Sequence, residues 1–104
     1  MVLYIYRYSI HPDKTDTYLK WTEGAIKTLL AVPGVVELRA YRTAAGPGQL
    51  VVSWEFKDMT DWAAWYSHET VQKMIAELHT LAVGVTTELL GPSPVVPEPI
   101  RPGR

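Results

Sequence analysis

The sequence predicts an α+β fold, a ferredoxin-like β-α-β-β-α-β plait with a four-stranded antiparallel sheet. Three observations carry this. The hydrophobic period switches between about 2 and about 3.6 residues in that order along the chain. Gly- and Pro-containing stretches stand at the switches. Two right-handed crossovers joining such strands give this topology. At 104 residues the chain suits one domain. We expect the plait to occupy residues 1–90, followed by a proline-rich arm at 91–104.

The first strand is read at 2–10, "VLYIYRYSI", a run of β-branched and aromatic residues. Val2, Tyr4, Tyr6, Tyr8 and Ile10 share one face. Leu3, Ile5, Arg7 and Ser9 share the other. Both faces are bulky, so both are expected to be covered. "HPDKTD" then supplies turn chemistry and helix N-caps. From Thr15 to Val32, Tyr18, Leu19, Thr22, Ala25, Ile26 and Leu29 form an apolar stripe opposite Lys20, Glu23 and Lys27. This is an amphipathic helix ended by Pro33 and Gly34. Residues 35–43 and 50–57 read as two strands joined by the hairpin loop "AAGPGQ". Residues 60–82 are helical and 83–90 form the last strand. The final stretch, "GPSPVVPEPIRPGR", holds five prolines and can form neither a regular helix nor a central strand.

The second helical region carries an internal conflict. With Trp62 at the origin of a helical wheel, Trp65 lies near about 300° and Tyr66 near about 40°. Val71, Met74, Ile75, Leu78 and Leu81 lie between about 100° and 220°. One straight helix does not bury both faces against one sheet. Either it breaks near Ser67-His68, with Ser67 as N-cap of a new helix, or Trp62 and Trp65 turn toward a partner or solvent.

Composition removes several function classes. The net charge is −1 and the ten basic residues are scattered, whereas a nucleic-acid surface clusters them. There is no Cys, hence no disulfide, thiolate nucleophile or Cys-based zinc site. No apolar run reaches transmembrane length and the apolar start is broken by Arg7, so a cytoplasmic protein is expected. His68 and His79 stand about 16 Å apart on a continuous helix, too far to share one metal ion. The serines lack a Gly-rich elbow, and no phosphate loop is present.

Two stretches carry a family resemblance. In "AVPGVVELRAYR" a helix ends in Pro-Gly and runs into a strand. In "VVSWEFKDMTDWAAWYSHETV" a strand ending in an aromatic-acid-aromatic step precedes an aromatic-rich helix. Residues 2–90 thereby resemble the dimeric α/β-barrel superfamily, and within it the antibiotic-biosynthesis-monooxygenase-like domains. The resemblance implies a homodimer with two sheets face to face and helices outside. It also implies a pocket between the sheet and the helices of one subunit. Relatives include cofactor-independent oxygenases of aromatic polyketides and heme-degrading oxygenases. The heme degraders pair a strand Asn with a helix Trp and a ligating His. This chain has no Asn, and its Trp65 is not at the usual spacing from His68 or His79.

The expected site is therefore an aromatic pocket that uses no metal or cofactor. Tyr6, Trp54, Trp65 and Tyr66 would bind a flat, hydrophobic or aromatic small molecule by stacking and hydrogen bonding. His68 would be the catalytic base, because an imidazole titrates near neutrality. On this reading the protein is a small cofactor-independent monooxygenase-like enzyme for a polycyclic phenol. The alternative is a non-catalytic homodimer that binds a small ligand or serves assembly, its arm strapped across the partner.

Overall fold

The computed structural model describes residues 1–46 and 48–103. Pro47 of the predicted hairpin loop and Arg104 of the predicted arm lie outside the described residues. Strand β1 (Val2–Ile10) leads through a short 3-10 turn (Pro12–Lys14) into α1 (Thr15–Ala31). Strands β2 (Val35–Arg42) and β3 (Leu50–Phe56) follow, then α2 (Met59–Tyr66), α3 (Glu69–Leu81) and β4 (Ala82–Leu90). The sheet order is β2-β3-β1-β4, with every neighbouring pair antiparallel. This is the ferredoxin-like plait expected from the periodicity.

The helical region does break. Tyr66 ends α2, and α3 begins at Glu69. The cap is His68 rather than the expected Ser67: His68 Nδ1 accepts from the Thr70 N–H at 3.1 Å. The break removes the conflict of faces. Trp62, Trp65 and Tyr66 of α2 pack on the core, and so do Val71, Leu78 and Leu81 of α3.

All helices lie on the Tyr4-Tyr6-Tyr8 face, where β1 is buried together with Trp54 and Phe56 of β3. Helices cover only one face of the sheet, yet on the other face of β1 Ile5 is also buried. On the opposite face Leu3 and Arg7 stay partly exposed, and Val36 and Tyr41 are exposed. Three layers would need a second body, and one chain supplies only two.

Two bulges keep the apolar set on the helix face. On β4 the register slips by one residue opposite Arg7–Ser9, where Gly84 takes φ 64°. The extra residue inverts side-chain parity, so Ala82 and the later Val85 and Leu89 all face the core. On β2 a second slip between Val35 and Glu37 leaves Val36 outside while Val35 and Leu38 both pack inward. Gly34 ends the α1–β2 link at φ 124°. A Cβ there would stand 3.3 Å from the Asp61 carbonyl oxygen, so α2 approaches this link closely because Gly34 has no side chain.

Residues 91–103 are irregular and exposed. Ser93 Oγ accepts from the Val95 and Val96 N–H groups, while Val95 and Ile100 project into solvent. Among the described residues no helix is long and apolar enough to cross a membrane.

Candidate functional site

Strand registers build the floor of a cavity between sheet and helices. Across β2, β3 and β1 the helix-facing residues form the rows Arg42–Leu50–Tyr8, Ala40–Val52–Tyr6 and Leu38–Trp54–Tyr4. The middle row holds two small side chains beside Tyr6. Thr22 and Ala25 of α1, also small, line the same space. The result is a cavity of about 320 Å³, within the range of small-molecule pockets.

Its roof is α1, through Tyr18, Thr22, Ala25 and Leu29, and α3, through Met74, Ile75 and Leu78. Trp65 closes the deep end. It is 2% exposed, packs on Trp54 and Phe56 with ring centroids 5.1 Å away, and donates its indole N–H to the Leu29 carbonyl at 3.2 Å. Leu19 and Ile26 line the opening and remain exposed. Trp21 also lines the cavity, and its indole N–H donates to Glu77 at 2.7 Å, which ties α1 to α3.

Polar groups in the wall are few. The hydroxyls of Tyr8 and Tyr18 lie 2.5 Å apart. Tyr4 donates to the Tyr6 hydroxyl at 3.2 Å. Burial, followed by the bond to Tyr18, pushes the Tyr8 phenol far above its ordinary range. Burial, followed by Tyr4, does the same to Tyr6. Both are therefore neutral hydroxyls at neutral pH, able to donate a hydrogen bond but not to act as bases. The Trp54 indole N–H has no hydrogen-bond partner among the described residues.

Of the residues expected to form the site, Tyr6, Trp54 and Trp65 lie together in the cavity wall. Tyr66 lies elsewhere. It stacks on Trp62 at 5.0 Å and meets Tyr4 edge-on at 5.6 Å, within the core beyond the cavity. His68 is exposed, outside the wall, with Nδ1 engaged in capping α3. The break that lets both helices pack also turns this segment to the surface. The pocket wall of Trp65, Tyr66 and His68 expected from the aromatic stretch thus reduces to Trp65.

The Tyr8–Tyr18 pair and Arg42 were not singled out by sequence reading. Tyr8 was legible from strand alternation, but Tyr18 and Arg42 needed the packing of α1 and the register of β2. The charged strand residues lie mainly on the opposite face. Arg7 pairs with Glu88 across β1 and β4, Arg39 pairs with Glu37 within β2, and Glu55 lies beside Ser53. Among the described residues no group of three or more His, Asp or Glu is arranged to hold a metal ion.

Residues 1–77 match the family model described as antibiotic biosynthesis monooxygenase. Among solved structures, the chain is similar to Rv0793 from Mycobacterium tuberculosis, with 20% identity and a TM-score of 0.72 over 88% of this chain and 94% of that one. It is similar to SnoaB, a cofactor-independent oxygenase from Streptomyces nogalater, with 15% identity and a TM-score of 0.70 over 93% and 97%. It is also similar to At3g17210 from Arabidopsis thaliana, with 8% identity and a TM-score of 0.78 over 89% and 96%. At these identities the likeness is one of fold. No curated protein matches the chain.

Proposed function

Since the chain belongs to the antibiotic biosynthesis monooxygenase family, we propose that it binds a polycyclic phenolic small molecule between its sheet and helices and oxygenates it without a cofactor. The observation that carries this is the aromatic cavity of about 320 Å³ floored by Tyr6, Val52 and Trp54 and closed by Trp65. Flat fused rings match its stacking surfaces. The neutral Tyr6 and Tyr8 hydroxyls and the Trp54 N–H would donate to ring oxygens. An electron-rich phenol or anthrone reacts with O2 directly as its anion, after its proton has passed to solvent at the cavity opening, and the donors would stabilise the resulting oxyanion. For an anthrone, one oxygen atom becomes the new ring carbonyl and the other leaves as water. SnoaB, a cofactor-independent oxygenase of the same fold, supports this chemistry.

His68 is outside the cavity wall, which moves the base role away from it and favours a second reading. In that reading the cavity binds its ligand without transforming it. Oxygen uptake with a panel of anthrones and hydroquinones separates the two. The oxygenase reading expects one O2 consumed per substrate. Ala25→Phe, which fills the cavity, should lower the rate by about tenfold or more, the effect of about 1.4 kcal/mol of lost binding. His68→Ala should leave the rate within about twofold, since removal of a helix cap affects stability by about 1 kcal/mol. Binding of panel members without O2 uptake would leave only the second reading. Absence of both binding and uptake would remove both.

We also propose a homodimer formed through the open sheet face, with residues 91–103 lying on the partner. The exposed Val36 and Tyr41 on that side, and Val95 and Ile100 in the tail, support this. Light scattering should report twice the chain mass, with weaker self-association for a chain ending at Leu90. A monomer at micromolar concentration would end the dimer proposal.

A further inference from the structure

We propose that the cavity selects anionic aromatic ligands, whose carboxylate or sulfonate pairs with Arg42 at the rim while the rings lie toward Trp54 and Trp65. This rests on the reading of the cavity as a small-molecule site. Arg42 is the one charged residue among the described residues of the wall. It stands on the helix-facing side of β2, in the same row as Leu50 and Tyr8. It is exposed, and no described residue offers it an ion pair or hydrogen bond. The other two strand arginines, Arg7 and Arg39, each have a glutamate.

The cavity is therefore polarised along the strands. Successive rows pass from Arg42 and Tyr8, through Ala40 and Tyr6, to Leu38 and Trp54. Rows on one face are about 7 Å apart, two residues of about 3.4 Å each. The distance from the Arg42 row to the Trp54 row is thus about 14 Å, which suits a fused-ring system with a charged group at one end. The guanidinium forms paired, charge-assisted bonds to a planar carboxylate or to sulfonate oxygens. The Tyr8–Tyr18 hydroxyl pair lies at that same end. At the other end the enclosed Trp65 and its neighbours disfavour any charge. A ligand with an acid at one end is thereby held in one orientation, which fixes the ring position presented to the deep end.

Two dyes with one aromatic skeleton test this: 8-anilinonaphthalene-1-sulfonate and its uncharged parent, N-phenyl-1-naphthylamine. Fluorescence titration should show the sulfonate bound about tenfold tighter, the worth of one partly solvated charge-assisted bond. Arg42→Gln should bring the two affinities together without changing that of the parent dye. Arg42→Lys should retain part of the preference. An unchanged preference in Arg42→Gln, or an equal loss for both dyes, overturns the proposal. The underlying cavity reading is judged separately by the parent dye, whose binding should be lost in Ala25→Phe. If the parent dye binds there as before, or binds nowhere, the cavity reading fails and this inference with it.

Discussion

Trp65→Ala is expected to destabilise the protein by about 3–5 kcal/mol, the range for removing a large aromatic side chain from a core. Trp65 is 2% exposed and packs against both Trp54 and Phe56. Its N–H also satisfies the Leu29 carbonyl, one of the last four of α1, which have no partner within the helix. Domains of this size have about 5–15 kcal/mol in total, so the variant would sit near its unfolding threshold. Trp65→Phe separates the two contributions. It retains most of the ring contact and removes only the hydrogen bond, at about 1–3 kcal/mol. Urea unfolding at constant m-value checks both. A loss below about 1 kcal/mol for Trp65→Ala would show that this ring does not hold the α2–sheet contact.

Stability should fall steeply at alkaline pH, and Tyr6 and Tyr8 should be the reason. Both phenols have folded-state pKa values raised far above the ordinary value, chiefly by burial, and Tyr4 is raised in the same direction. In the unfolded chain they ionise near pH 10. Below that pH both states hold the proton and stability is fully present. Above it the unfolded state loses protons that the folded state keeps. Stability therefore declines by about 1.4 kcal/mol per pH unit for each such tyrosine. The loss begins near pH 10 and deepens as the pH rises further. Urea unfolding between pH 9 and 11.5 reads the slope, and Tyr8→Phe should reduce it by one proton. Phenolate absorbance showing all six tyrosines titrating near pH 10 in the folded protein would refute the account.

The second helical region shows how far sequence reading reached. Its wheel places Trp62 and Tyr66 apart from Val71 and Leu78, which leaves either a break near Ser67-His68 or outward-facing tryptophans, and the structure has the break, between Tyr66 and Glu69. The consequence for His68 was not legible. A cap and a pocket residue look alike in sequence, and orientation decides between them. The bulges at Gly84 and Val36 were hidden for a related reason. Each inverts the parity of its strand, and parity is meaningful only against a partner strand whose register is known. Trp54, expected in the pocket, does line it, because β3 alternates without interruption against β1.

Arg42 makes the same point for the site. In sequence it is one of several strand arginines, and only the row shared with Leu50 and Tyr8 sets it at the cavity rim. The order of elements, the two faces of β1, the conflict of faces in the second helical region and the absence of thiol chemistry are all legible in the residues themselves. These depend on local periodicity and residue type, which neighbours along the chain impose. Packing alone sets where space remains between the layers, which hydroxyls pair, and which strand arginine has no partner among the described residues. Those features arise from groups on different elements, such as Tyr8 with Tyr18, Trp21 with Glu77, and Trp65 with Leu29, and only packing fixes the distances between them.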